Sequence, residues 1–401
     1  MLDRTEWSAN YGVLGWFQHS ISETLSLSAQ WRVGNVDGIS PTGESRGMHR
    51  SSSKAQTKMA NSNSISDHFN GRRFHNPKPR SQGFRALLRW LSNRQQGEWK
   101  PNLRATFGPK PLAVVPGIGD EPDELRITFV NHSTFLIQCF GVNVLTDPIW
   151  SERASPFTWM GPKRMRPPGI RIDDLPRIHC VLLSHDHYDH MDVPTLRHLW
   201  KMHRPTFYTG LGNRRRLRGL GIDRVEELDW WDSVAMPGGL RLTATPAQHF
   251  SGRTPFDRDT TLWCSFMIEP PSEFAASGSI YFGADTGFGP HFEKIAHRFP
   301  SIRTAILPIG AYRPEWFMGE VHCSPSESVE AHRVLRSQMS IACHFGTFPL
   351  ADDGEVEAEE ELKRALMAKP VEGEFVVPQF GEALEIDALA TERETISGTE
   401  D

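Results

Sequence analysis

The stretch SHDHYDHMD, residues 184 to 192, follows directly on the run CVLL, residues 180 to 183. Four apolar residues in a row suit a buried strand, and the nine that follow hold three histidines and three aspartates. Packing calls for no such crowding of ionisable groups, and burying them unpaired costs several kcal/mol. The chain is therefore constrained to a fold in which a strand ends at a rim and its polar continuation meets a partner. A metal ion is the natural candidate: in a loop at the strand end, His185, His187, Asp189 and His190 can converge on one point.

Three further β-rich runs end in the same way. LTATPAQH closes at His249, SIYFGAD at Asp285 and SIACH at His344. Taken with the motif they supply five histidines and two aspartates, a donor set suited to zinc, iron or manganese. One zinc prefers about four ligands, so seven candidates point to two centres sharing a bridging carboxylate. For His249, Asp285 and His344 taken singly, an ordinary hydrogen-bonded core residue is the competing reading.

Other runs of strand length and composition are LRITFV, TFLIQCF, VNVLTD, LRLTATPA, CSFMIE, SIYFGAD, TAILPIG and SIACHFG. Helical periodicity marks VPTLRHLWKM, FEKIAHRF, PSESVEAHRVLRSQ and EVEAEEELKRALMA. The early runs look hairpin-like, whereas the later half alternates strand with helix. This pattern predicts an α/β (α+β) fold of mixed sheets sandwiched between helices, with polar residues gathered at strand ends. Residues 1–64, rich in Ser, Asn, Gly and Thr without a hydrophobic period, read as a disordered extension, and 389–401 as a flexible tail. Between them lie a strap segment, 65–103, and the main domain, 104–388. In the strap Phe84, Leu87, Leu88 and Leu91 recur at helical spacing.

A net charge of −5 argues against a partner bound through a strongly basic surface, so no nucleic-acid role is expected. Five scattered cysteines without a C-x-x-C pair read neither as a disulfide framework nor as a thiolate zinc site. No window holds a membrane-spanning apolar run, and the first residues lack the basic start of a signal peptide. A cytoplasmic location is expected, with peripheral membrane contact as a variant of it. Whether the chain forms a homodimer stays open.

The segment SHDHYDH resembles the signature of the metallo-β-lactamase fold, an αββα sandwich with a dinuclear metal site at one sheet edge. Further blocks narrow the likeness: TDPIWSERASPFTWMGPKRMRPPGI, ELDWWD, TPAQHF, FGADTGF, PIGAYRPEWFM and CHFGTF are similar, in order, to those of phospholipases D that hydrolyse N-acylphosphatidylethanolamine. The resemblance, running from roughly residue 65 to 385, implies two Zn2+ per chain. His185, His187 and His249 would hold one, Asp189, His190 and His344 the other, and Asp285 would bridge both. It also implies that His322 in GEVHCSP assists catalysis near the phosphate, against the alternative that His322 caps the helix starting near Ser324. Tyr188 and Arg253 are the expected substrate contacts. Val321 and Gly252 depart from the glutamine and lysine of mammalian members, which places the head-group preference in question.

The implied activity is hydrolysis of N-acylphosphatidylethanolamine to N-acylethanolamine and phosphatidic acid by a hydroxide bridging two zinc ions, with Asp189 tuning the second metal and His322 or a water protonating the leaving alkoxide. The partner is thus a phospholipid, or in the alternative reading a small phosphodiester, ester or lactone on the same metal site. Asp147 in LTDP reads equally as a support for ligand histidines or as a turn residue before proline. Tryptophans in PFTWM, ELDWWD and RPEWFM suggest an apolar trough or plain core. Lys163, Arg164, Arg166 and Arg171 suggest head-group attraction or a solvated loop.

Overall fold

The computed structural model describes residues 66–79, 81–102, 107–111 and 124–388. The expected disordered extension, 1–64, and the tail, 389–401, lie outside the described residues.

Two seven-stranded mixed sheets form the body. The first contains β1 (Leu125–Asn131), β2 (Thr134–Cys139), β3 (Val142–Thr146), β4 (Cys180–Leu183), β5 (Thr206–Gly210), β6 (Val225–Leu228) and β14 (Ala383–Ile386), in the order β14-β1-β2-β3-β4-β5-β6. The second contains β7 (Ser233–Ala235), β8 (Arg241–Thr245), β9 (Ser265–Glu269), β10 (Ser279–Phe282), β11 (Ile302–Pro308), β12 (Met339–Cys343) and β13 (Glu374–Val376), in the order β13-β12-β11-β10-β9-β8-β7. Each sheet is antiparallel on the side built from hairpin-connected strands. Each turns parallel from β3 to β6 in the first and from β10 to β13 in the second; helices supply every one of these crossovers except β3 to β4, a long connection with one 3-10 turn.

Alternation along each strand sorts residues into layers. From β4, Cys180 and Leu182 enter the core between the sheets, which they share with Phe135, Phe266, Phe282 and Ile341. Val181 and Leu183 point the other way, onto Leu196, Leu199 and Trp200. On the second sheet Ala305 and Leu307 of β11 face outward, against Phe292, Ile295, Ala331 and Leu335. These outer partners come from three helices, Val193–His203, His291–Arg298 and Pro325–Leu335, so the layers run helix, sheet, sheet, helix. Because the central strands are covered on both faces, they read as unbroken apolar runs rather than as alternating ones. The expected αββα sandwich is the observed fold.

In the strap helix, α1 (Phe84–Ser92), Leu87 and Leu91 are half-buried, and the most buried residue beside them is Trp90. Leu88 is 49% exposed and Trp90 only 7%. Trp90 stacks on Phe317 and donates its indole N–H to Asp352 Oδ2 at 3.0 Å. Periodicity marked the helix, and Trp90 and the exposed Leu88 adjust its buried edge. Two arginines of this segment are also engaged by protein: Arg89 lies over the Trp316 ring, and Arg94 donates to Asp352 at 2.8 Å. Among the described residues no helix is long and apolar enough to cross a membrane.

Candidate metal centre

One rim of the sandwich collects the ends of six strands. His132 follows β1, Asp147 follows β3, and His344 follows β12 without an intervening residue. His185 stands two residues past β4, Asp285 three past β10 and His249 four past β8. The backbone bends sharply at this rim: His132, Asp147, Ala284 and His344 all adopt positive φ, between 32° and 60°. Left-handed conformations in non-glycine residues cost on the order of 1–3 kcal/mol each and persist where the surroundings enforce them. Close backbone packing at His344 requires glycine at 310, since a Cβ added there would lie 2.1 Å from the carbonyl oxygen of His344.

These bends aim seven side chains at two points, six of them buried and His187 half-buried. In the first set His185 Nε2 lies 2.8 Å from His187 Nδ1, and His249 Nε2 lies 3.3 Å from the same atom. Asp285 Oδ2 completes it, 4.0 Å from His185 Nε2 and 3.6 Å from His249 Nε2. In the second set His190 Nε2 stands 3.3 Å from Asp189 Oδ2 and 3.2 Å from Asp285 Oδ2. His344 Nε2 stands 3.5 and 3.1 Å from the same two oxygens. Four donors at about 2.1 Å from a tetrahedral zinc would sit about 3.4 Å apart, and the separations here, 2.8–4.0 Å, bracket that value. Asp285 Oδ2 belongs to both sets.

Hydrogen bonding does not account for this crowding. His190 Nε2, both ring nitrogens of His344 and Asp285 Oδ1 are buried without a hydrogen-bond partner. Buried groups left unmatched are expensive, whereas nitrogen and oxygen donors aimed at a common point fit a divalent cation. The residues present therefore fit a pair of metal ions.

The supports behind the donors fix imidazole orientation. Asp147, fully buried, accepts from the Ser184 backbone N–H at 2.8 Å and from its hydroxyl at 2.6 Å, and meets His190 Nδ1 at 2.7 Å. Ser184 Oγ in turn lies 2.8 Å from His185 Nδ1. His249 Nδ1 meets the Val321 carbonyl at 2.9 Å, so the departure at residue 321 leaves this contact to the main chain. Such outer contacts hold a ligand ring in one tautomer and one pose.

His132 joins the cluster although the motif reading passed over it. Its Nε2 lies 3.0 Å from Asp189 Oδ2, and its ring centroid 4.1 Å from that of His344. A signal was present, because LRITFVNH also ends a β-run at a histidine. Burial pushes His132 down to about 3, helped by the neighbouring His344.

The two sets differ in charge. Burial pushes His187 and His249 down to about 3. For His344 burial acts the same way, but Asp285 and Asp189 outweigh it and raise the ring to about 9. His190 is likewise held well above its ordinary value once Asp285, Asp189 and Asp147 overcome burial.

His322 sits over both sets, its ring 5.1 Å from His249 and 5.2 Å from His344, with Nδ1 buried and without a hydrogen-bond partner. The helix Pro325–Leu335 is capped by Ser324, whose hydroxyl accepts from Glu327 N–H, so capping is not the work of His322. Tyr188 and Arg253 pack on each other, the guanidinium 3.8 Å from the ring centroid. Arg253 Nη1 donates to the carbonyls of Asp186 and Met191 at 2.7 and 2.9 Å, bracing the motif at both ends.

Several candidates for substrate contact are occupied elsewhere. Arg164 is buried and donates to Asn131, Ile149 and Ser151. Arg166 pairs with Glu355 and Arg171 with Asp174. Among the tryptophans, Trp230 and Trp263 are core, while Trp159 and Trp316 stand 72% and 42% exposed.

The rim gathers clusters of histidine and aspartate able to hold metal on a four-layer sandwich, and sequence comparison gives the family. The chain belongs to the β-lactamase superfamily: the model of the Beta-lactamase superfamily domain matches residues 142–345, slightly more than half of the 401 residues. The donor cage gives it the equipment of that superfamily's metal-dependent hydrolases. An uncharacterized protein of Mycobacterium tuberculosis is 38% identical over 282 residues, 69% of this chain and 73% of the relative. The N-acyl-phosphatidylethanolamine-hydrolyzing phospholipase D 1 of Caenorhabditis elegans is 34% identical over 274 residues, 65% of this chain and 76% of the relative. Among solved structures, an isothiocyanate hydrolase from Delia radicum gut bacteria aligns with a TM-score of 0.52 at 20% identity, covering 66% of this chain and 99% of that one. That likeness is one of fold.

Proposed function

We propose that the chain is a zinc-dependent phosphodiesterase of phospholipase D type, hydrolysing N-acylphosphatidylethanolamine to N-acylethanolamine and phosphatidic acid. The observation that carries the reading is the pair of four-atom donor sets sharing Asp285 Oδ2, in a chain that is 34% identical to the C. elegans phospholipase. His185, His187 and His249 would hold one zinc, Asp189, His190 and His344 the other, and Asp285 both. Two zinc ions bound there supply Lewis acidity toward the phosphoryl oxygens and lower the pKa of a bound water toward neutrality.

The chain's own groups do the rest. Asp189 Oδ2, shared between the second set and His132, is placed to accept the proton that a water gives up. His322, held neutral by burial despite Asp285 nearby, can relay a proton to the leaving alkoxide through its two ring nitrogens. Tyr188 and Arg253 keep the motif loop in register beneath the substrate. Water ends on phosphorus, the bond from phosphorus to the ethanolamine oxygen breaks, and that oxygen leaves protonated.

The test is a head-to-head assay of the zinc-loaded chain on N-acylated phospholipid vesicles and on soluble esters, lactones and phosphodiesters, with phosphatidic acid as readout. Release from the lipid, abolished by chelation and restored by zinc, is expected. Turnover of the soluble compounds alone would sink the lipid reading and leave the metal-hydrolase reading standing.

A further inference from the structure

His249 lies four residues beyond the end of β8, where no strand ladder serves its backbone. Its peptide groups are instead held by one side chain from 173 residues away. The Asn76 side-chain N–H donates to the His249 carbonyl at 2.7 Å, and the His249 N–H donates to Asn76 Oδ1 at 3.1 Å. The pair reproduces with a side-chain amide what a neighbouring strand would supply. Trp263 Nε1 donates to the same Oδ1 at 3.0 Å, and Asn76 is itself 7% exposed. One residue earlier, Gln248 Nε2 donates to the Lys78 carbonyl at 2.8 Å, so strap and ligand loop run side by side.

The same strap ties down two other loops that carry site histidines. Ser81 donates through its N–H and its hydroxyl to Glu320, two residues before His322. Trp90 and Arg94 hold Asp352, on the segment that continues from His344. All of these anchoring residues precede the stretch 142–345 that matches the family domain.

We infer that Asn76 is a positioning residue for the first donor set, clamping the His249 main chain so that Nε2 meets His185, His187 and Asp285. The inference rests on the metal-hydrolase reading above, but not on the identity of the substrate. With the clamp removed, two buried peptide groups lose their partner and the loop drifts, while the second set, built from β4 and β12, keeps its geometry.

The test uses the full chain as wild type, Asn76→Ala and Ser81→Ala, the last loosening the strap at a distance from His249. Zinc per chain is measured by elemental analysis during titration with a competing chelator, alongside the melting temperature of the metal-free protein and kcat and KM. For Asn76→Ala we expect one zinc retained as in wild type, the other weakened on the order of 10–100-fold, and kcat lowered with KM little changed. Ser81→Ala should bind both zinc ions as wild type does. Equal zinc affinities in wild type and Asn76→Ala overturn the inference. So does a matching loss in Ser81→Ala, which would mean general loosening of the strap. Should Asn76→Ala not fold, Asn76→Asp keeps an acceptor for the His249 N–H, loses the donor to its carbonyl, and carries the same expectation. A wild type that binds no zinc removes the metal-hydrolase reading itself, a failure visible before any variant is compared.

Discussion

In the first donor set three imidazoles face a single carboxylate oxygen; in the second, two imidazoles face two carboxylate oxygens, with Asp147 and His132 behind them. The first is held by neutral contacts, the Val321 carbonyl and the Asn76 amide. Charged groups hold the second, which is why its imidazoles are raised while His187 and His249 are pushed down to about 3. Two carboxylates can balance a divalent cation, whereas one leaves it a net positive charge. On the proposed reading, the first position would polarise the substrate oxygen, and the second would hold its metal tightly and handle the proton.

Asp285→Asn should have the largest effect, because Oδ2 is the one atom common to both sets. Several kcal/mol of charge stabilisation then disappear, so turnover should fall by at least about a thousandfold, with both zinc ions weakened in chelator titrations. Survival of either zinc at wild-type affinity would mean that the sets are independent. Asp189→Asn should break the comparison on one side only. Elemental analysis should find close to one zinc per chain, and turnover should drop about a hundredfold, the first set staying filled. Loss of the first zinc instead would reverse the assignment.

His132→Ala, which removes the contact to Asp189 Oδ2 without removing a donor to the first set, should weaken the second zinc by roughly tenfold and leave the first as it was. Unchanged zinc binding would reduce His132 to packing.

A smaller effect belongs to pH and the strap. His68 stacks on Trp230 and meets Asp229 and Asp67 at 2.9 Å each. Burial lowers its pKa, but these two carboxylates outweigh that and leave it raised above 6.5. A raised folded-state pKa means the folded chain binds the proton more tightly. The stabilisation is therefore complete below about 6.5 and fades as pH rises through the raised value. Denaturant unfolding of wild type and His68→Gln should show a gap at pH 6 that narrows by pH 9. A gap that widens with pH would contradict the sign. Asp67 is fully exposed, so Asp229 should carry most of the effect.

Much of this was legible in the chain. Nine β-runs read from composition became strands, because central strands covered on both faces need unbroken apolar residues. The strands that went unread are β5, β6, β7, β13 and β14, most of them edge strands of three or four residues, too short for a period to show. The helices Arg214–Gly219 and Glu315–Met318 were missed for the same reason. At the rim, the seven residues expected as donors lie close together, because the segments that carry them follow strand ends that pattern alone could mark.

The sequence by itself determined the donor types and the strands that deliver them, since ligand chemistry and strand periodicity are local properties of a few consecutive residues. Only the tertiary structure decided how the donors divide into two sets around one oxygen, that His132 stands behind Asp189, and that Asn76 clamps a histidine 173 residues away. It also decided that Arg164 spends its donors inside the protein. Those outcomes depend on sheet register, on which strand ends share a rim, and on which side chain reaches an unladdered peptide. These are distances across the fold, which no window along the chain contains.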